Sequence, residues 1–342
     1  MKFIDEINQQ PDALLDLKRI YNESYPPAIA LTDTIKKRDY REFVFTGMGS
    51  SYFVGHIACA LLRSKGIKAN AYESKEFAAY GIGAIDTGSL AVAISQSGES
   101  NELIDLLAAM PQTDNVIAIS NNENSSLCRY CKIKFLLYAG KEYTTSTKTY
   151  TNTIAAILYI SNVILKSRGL PELDFAKLTD KCVEIMKDCI NAGAEKTADF
   201  FENARYICLV GGGPSYCTAS HSELVVEEAG KMFSTRYLPA QFLHGPVELI
   251  DENFNILAFD FSEHTRGEID RVIDNALSYG GKICVITNRD IDISHNRFMS
   301  VKLDMQNEFY SPLVEVLPLE LFINEIALRR GLNPGILERV RK

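Results

Sequence analysis

The sequence predicts an α/β protein made of two tandem, doubly wound parallel sheets, and three observations carry that expectation. A glycine turn occurs twice, as Gly47-Met48-Gly49-Ser50-Ser51-Tyr52 and as Gly211-Gly212-Gly213-Pro214-Ser215-Tyr216. Each copy follows a short run of strand formers, Phe43-Val44-Phe45 and Ile207-Cys208-Leu209-Val210, and opens a longer helical pattern. After each copy strand and helix patterns keep alternating, which is the signature of parallel strands joined by crossover helices. With 342 residues, 46% of them hydrophobic, the chain also has the length and apolar volume for two cores.

In chain order, residues 1–40 read as a helical lead-in broken at Tyr25-Pro26-Pro27, too short to fold alone. The first domain, 41–170, takes strands at 43–46, 68–72, 90–95, 115–119 and 133–137, with helices such as 52–65 and 101–110 between them. A mostly apolar helix from Thr151 to Ser167 closes it at the turn Arg168-Gly169-Leu170-Pro171-Glu172. Residues 171–204 form a helical connection. The second domain, 205–330, repeats the cycle with strands near 206–210, 255–260, 282–287 and 299–303 and helices near 216–231, 266–278 and 312–330, and 331–342 is a C-terminal tail. Ligands on such sheets collect beyond the carboxyl ends of the strands, where the glycine and serine loops fall.

Composition narrows the partners. A net charge of −8, with acids and bases interspersed, argues against a nucleic-acid face, which needs clustered Lys and Arg. The N-terminus has no signal-type apolar core and no run reaches the roughly 18 apolar residues of a membrane span, so a cytoplasmic protein without membrane or nucleic-acid partners is expected. The eight cysteines lie mostly in apolar patterns, as reduced buried thiols do. Cys128 and Cys131 make a Cys-x-x-Cys, but neither a second pair nor a nearby His completes a zinc set, so no metal is expected.

The chemistry-bearing residues fall in loops. Ser95-Gln96-Ser97-Gly98-Glu99-Ser100 lies between an apolar strand and a helix starting near Glu102, and its hydroxyls, its glycine and the open N–H groups of the helix can seat a phosphate. The same residue types also make an ordinary N-capped turn. The loop has no Lys or Arg and no Gly-Lys-Ser/Thr, and neither glycine turn completes Gly-x-Gly-x-x-Gly, so nucleotide motifs are excluded. Thr144-Thr145-Ser146-Thr147-Lys148 is a second hydroxyl-rich loop, and the second half carries Glu228 and His244-Gly245-Pro246.

Taken together, Gly47-x-Gly49-Ser50-Ser51-Tyr52, Ser95-Gln96-Ser97-Gly98-Glu99-Ser100, Glu142-x-x-x-Ser146-Thr147-Lys148, Glu228 and His244-Gly245-Pro246 resemble the tandem sugar-isomerase (SIS) domains, of flavodoxin-like fold, found in glucosamine-6-phosphate synthase and stand-alone phosphosugar isomerases and deaminases. The resemblance covers roughly residues 40–342. It implies that Ser50, Ser51, Ser95, Gln96, Ser97, Ser100 and Ser146, with Lys148 as a cation, bind the phosphate and hydroxyls of a ketose or amino-sugar 6-phosphate. It implies that His244 opens the sugar ring and is lent by the partner subunit of a homodimer with shared sites. It also implies that a C-terminal lysine, here Lys342, can lie over the sugar and form a Schiff base, against the alternatives of a solvated tail lysine and of Lys148 as the nearer cation.

Glu228 stands on a helix with Glu223 and Glu227, where a glutamate is ordinarily solvated surface. Moving a proton between C1 and C2 of an open-chain sugar needs a general base, and a partly buried carboxylate supplies one. The resemblance implies that Glu228 is that base, with Glu227 the alternative, while His56, His221, His264 and His295 are expected to be structural.

The first cysteine, Cys59, lies inside a helical pattern, so no glutamine-hydrolysing nucleophile is expected, and Val225 stands where the synthase places a lysine. The chain therefore resembles the stand-alone branch: an isomerase of glucosamine 6-phosphate or fructose 6-phosphate type, with deamination as one variant, with no cofactor. A fructosamine-6-phosphate deglycase is the alternative. A sugar-phosphate sensor without chemistry is a third reading, disfavoured because nothing in residues 1–40 resembles a basic helix-turn-helix.

Overall fold

The computed structural model describes Lys2–Met110 and Asn115–Arg339. Helices α1 (Phe3–Asn8), α2 (Gln10–Ile20) and α3 (Pro26–Lys37) precede β1 (Glu42–Gly47), α4 (Ser50–Ser64), β2 (Ala69–Glu73), the short α5 (Ser74–Glu76), β3 (Ser89–Ile94), α6 (Asn101–Ala109), β4 (Val116–Ser120), α7 (Ser126–Tyr130) and β5 (Ile133–Leu136). Helices α8 (Lys148–Ser167), α9 (Phe175–Ala192) and α10 (Glu195–Phe200) follow. The second cycle runs β6 (Tyr206–Gly211), α11 (Ser215–Glu228), β7 (Phe233–Tyr237), α12 (Pro239–Leu243), β8 (Asn255–Asp260), α13 (Arg266–Ser278), β9 (Lys282–Thr287), β10 (Phe298–Lys302) and α14 (Pro312–Arg329).

Both sheets are parallel and share one topology. The first has the order β2-β1-β3-β4-β5 and the second, read from one edge, β7-β6-β8-β9-β10. Numbered within each sheet this is 2-1-3-4-5 both times, the flavodoxin-like order whose switch point lies between the first and third strands. The two glycine turns leave the sheets at those switch points, with Gly47 opposite Ile94 of β3 and Gly211 opposite Phe259 of β8. The repeat legible in the sequence is therefore a repeat of topology.

The inner strands are apolar because helices cover both faces of a parallel sheet. Every residue of β3 and of β8 is buried. The edge strand β7, Phe233-Ser234-Thr235-Arg236-Tyr237, is missing from the sequence reading for the complementary reason. Its Phe233 is 70% exposed and the rest of the strand is polar or half-buried, so it shows no apolar run.

The chain forms two compact units. One consists of Asp12–Lys141 and Lys148–Asp180 and contains the first sheet. Its axis is α8, buried from Lys148 to Leu165 except for half-buried Tyr159, and packed on α3 and α4. Leu103, Leu106 and Leu107 of α6 close the other sheet face against Val44, Ala91, Ala93 and Ala118. The second unit consists of Met1–Pro11, Glu142–Thr147 and Lys181–Lys342. There α14 is buried from Pro312 to Ala327 except for half-buried Glu325 and lies along α11, while Ile269, Val272 and Ile273 of α13 pack on Val210, Ile256 and Val285. Helix α1 and the segment 142–147 thus belong with the second sheet. Among the described residues no helix is long and apolar enough to cross a membrane.

Candidate active site

The first unit builds its candidate site from two strand-to-helix turns. Gly47 has to be glycine, because a Cβ there would lie 2.8 Å from Ser51 Cβ and 2.9 Å from the Ile94 carbonyl oxygen. Gly49, at φ +50°, ends the turn as the N-cap of α4, so Ser50 and Ser51 open that helix, with the Ser51 N–H donating to the Met48 carbonyl at 3.1 Å. Across the switch point the β3–α6 loop is braced from inside. Buried Ser95 accepts the Gly98 N–H at 3.0 Å and pairs with the Ser100 hydroxyl at 3.0 Å, so Ser100 heads α6 without capping it. The Gln96 carbonyl takes Asn121 N–H and the Gly98 carbonyl takes Leu127 N–H, each at 3.0 Å. Ser97 is exposed, and Gln96 and Ser100 are half-buried.

One carboxylate in this loop would repel an anion. Glu99 is engaged instead by α7, accepting the Ser126 N–H at 2.8 Å, and bonding to Ser126 holds its carboxyl below the usual range. On the same sheet edge Asn121 donates to the Gly140 carbonyl at 2.7 Å, and a methyl on Gly140 would lie 4.0 Å from Lys148 Nζ. Lys148 is the first residue of α8 and only 4% exposed, which places a cation beside the loop that follows β5. Hydroxyls, two helix N-termini and a lysine are groups that can seat an anion without a nucleotide motif.

The second unit holds the titratable residues. Glu228 is the last residue of α11, half-buried, and accepts a hydrogen bond from the hydroxyl of Thr145. Glu227 is exposed and accepts a long bond of 3.4 Å from Ser234. Glu223 is paired with Arg236 of β7. Thr145 is buried, and its N–H reaches the Gly335 carbonyl at 2.9 Å. Ser146 is half-buried in the same segment, whose far side is tied down by Thr147 N–H to Glu142 at 3.0 Å. His244 caps the C-terminus of α12 with its imidazole exposed, and the chain then turns through Gly245 into the 3-10 turn Pro246–Leu249.

The sequence pattern of the SIS domain matches residues 38–161 and 200–328, well over half of the chain. The chain belongs to the SIS domain family. An isomerizing glutamine–fructose-6-phosphate aminotransferase from Thermococcus kodakarensis is 26% identical over 346 residues, covering 97% of this chain and 56% of that protein. The chain spans about half the length of the curated relatives it matches. Among solved structures, the C-terminal domain of glucosamine-fructose-6-phosphate aminotransferase from Francisella tularensis superposes with a TM-score of 0.84 at 23% identity, over 98% of each chain. Tagatose-6-phosphate ketose/aldose isomerase from Escherichia coli gives 0.81 at 18% identity, over 100% of this chain and 97% of that one. These two are likenesses of fold.

In SIS terms, Ser50, Ser51, Ser95, Gln96, Ser97, Ser100 and Lys148 share the first unit, and Ser146, Glu228 and His244 share the second. Lys342 lies outside the described residues. Sequence reasoning missed Thr145 as the partner of Glu228. Its loop stood out as hydroxyl-rich, but a contact between residues 83 apart leaves no local pattern. Of the remaining histidines, His221 is buried on α11 and burial drives its pKa down to about 3, which keeps it neutral. His56 packs edge-on against Tyr52, and His295 accepts the Arg297 N–H. Cys128 and Cys131 are both buried, and burial pushes the Cys131 thiol up to about 12, so Cys131 offers no ready thiolate. Among the described residues no cluster of three or more His, Cys, Asp or Glu could hold a metal. Val225 is fully buried in α11.

Proposed function

We propose that this SIS protein isomerises an aldose, ketose or amino-sugar 6-phosphate. Glucosamine 6-phosphate and fructose 6-phosphate are the favoured substrates. The serine loops and Lys148 hold the phosphate and hydroxyls, His244 assists ring opening, and Glu228 carries the proton between C1 and C2 of the open chain. The proton taken from one carbon returns to its neighbour, so the step is redox-neutral within the substrate, and with an amino sugar the C2 imine so formed can be hydrolysed by water to the ketose and ammonia. His244 is exposed, which suits a residue lent to the site of a second copy, and the proposed working form is a homodimer.

The observation that carries this reading is the state of Glu228. It is half-buried at a helix end, reached by a neutral hydroxyl from Thr145, while the neighbouring Glu223 is paired with Arg236. A general base has to be held in place and still be able to accept a proton, and a neutral donor allows both. The test is conversion of each sugar phosphate, read by chromatography of the sugars and by ammonia release, for the natural chain and Glu228→Gln. Loss of conversion with retained fructose 6-phosphate binding supports the reading. Undiminished conversion by Glu228→Gln contradicts it, and turnover confined to amine-linked fructose 6-phosphates makes the protein a deglycase instead.

A further inference from the structure

Glu6, a residue that the sequence did not single out, is fully buried in α1. A buried carboxylate is tolerated only when its oxygens are hydrogen-bonded. Those of Glu6 accept the N–H of Tyr143 at 2.6 Å, the N–H of Thr144 at 3.1 Å and the Thr144 hydroxyl. Three donors from two successive residues converge on one side chain. The next residue is Thr145, whose hydroxyl bonds Glu228 and whose N–H is fixed by the Gly335 carbonyl.

The helix that supplies Glu6 is itself anchored. Phe3 and Ile7 are buried, α1 packs on α14, and just after α1 the Gln10 amide, at the start of α2, donates to the buried side chain of Glu320 on α14 at 2.5 Å. Helix α14 lies along α11, which ends at Glu228. Gly335 closes the ring of contacts. At φ +76° it sits so near α1 and the loop that a Cβ would lie 2.8 Å from Thr144 Cβ and 3.0 Å from Phe3 Cδ2. Glu228 is therefore held twice, by its own helix and through α14, α1, Glu6 and Thr145, all within one compact unit.

We propose that Glu6 is a positioning residue for Glu228, acting through the 142–147 segment. It sets where the Thr145 hydroxyl meets Glu228 Oε2, and so how the carboxylate is turned toward the carbon-bound proton. A misplacement of about 1 Å at a reacting group can lower the rate about a hundredfold. The proposal rests on the reading of Glu228 as the base.

Glu6→Gln is the informative change because it keeps the shape and alters the bonding. A glutamine offers one acceptor oxygen and an NH₂ group, so a backbone N–H now faces another donor. Thr145→Val removes only the hydroxyl. With fructose 6-phosphate as substrate, each variant is expected to lose about tenfold or more in kcat with KM within about twofold, and Glu6→Gln added to Thr145→Val should cost little more, since both act through one contact. A merely structural Glu6 would lower the melting temperature and leave kcat unmoved. Unchanged kcat in folded Glu6→Gln, or multiplicative losses in the double variant, overturns the proposal; if Glu6→Gln fails to fold, unchanged kcat in Thr145→Val does the same. Glu228→Gln, measured alongside, separates the two claims. If it keeps full turnover, the base reading has failed and the positioning role falls with it. If it is inactive while Glu6→Gln is normal, only the positioning role has failed.

Discussion

Replacing Gly98 by alanine tests the braced loop of the first unit. At φ +68° the new methyl would lie 2.1 Å from Ser125 Oγ, 2.4 Å from Ser125 Cβ and 2.9 Å from Ser120 Oγ. The left-handed conformation alone costs a residue with a Cβ about 1 kcal/mol, and relieving such an overlap adds about 1–3 kcal/mol. At about 2–4 °C per kcal/mol for a domain of this size, the melting temperature should drop by roughly 5–15 °C. The motion that relieves the overlap pulls Gly98 N–H from Ser95 and Leu127 N–H from the Gly98 carbonyl, so Ser95, Ser97 and Ser100 shift together. Titration calorimetry with fructose 6-phosphate should then show binding weakened by about tenfold or more, about 1.4 kcal/mol. Adding Ser125→Gly removes two of the three overlaps. Ser125 caps α7 through Cys128 N–H, and a glycine there costs only about a few tenths of a kcal/mol. The double variant should therefore recover most of the loss, keeping about the 1 kcal/mol of backbone strain. Gly98→Ala with the natural melting temperature and affinity, or no recovery on adding Ser125→Gly, would refute the reasoning.

Two further changes probe other parts of the molecule. Glu315 is fully buried on α14, where Ser215 and Thr218 donate to it at 2.9 Å and 2.6 Å, and burial lifts its pKa from 4.5 to about 7. The folded state therefore keeps a proton that the unfolded chain has released, so stability falls as pH rises from 4.5 through about 7. Glu315→Gln has no such proton to lose, and its stability relative to the natural chain should rise across that window by about 3 kcal/mol, measured by denaturant unfolding at pH 5 and pH 8; a constant difference would contradict the shift. If His244 is lent between subunits, mixing inactive Glu228→Gln and His244→Asn chains after reversible dissociation should restore about a quarter of natural activity, because each mixed dimer regains one intact site. No recovery in verified mixed dimers would place both residues in one subunit's site.

What the sequence made legible was local. Strand, glycine turn and helix are contiguous in both halves, so the buried strands β1, β3, β6, β8 and β9 could be read from runs of apolar residues, and the loop after β3 from its Ser and Gly. Strand β7 could not, because its Ser234, Thr235 and Arg236 carry no apolar pattern and its Phe233 is exposed. The surroundings of Glu228 were hidden for another reason. Glu6 meets Tyr143 across 137 residues, and Thr145 meets Glu228 across 83. Glu6 had only the look of a charged residue in a lead-in helix, although burial and three converging donors make it a fixed point of the fold. Gln10 and Glu320, 310 residues apart, are the same case.

The central claim is a proton shuttle at Glu228, and proton NMR of fructose 6-phosphate and glucosamine 6-phosphate with the purified protein in heavy water tests it most directly. The account predicts loss of the C1 or C2 proton signal as deuterium enters, in the natural protein and not in Glu228→Gln. Unchanged spectra with both sugars, under conditions where the protein binds them, would contradict it.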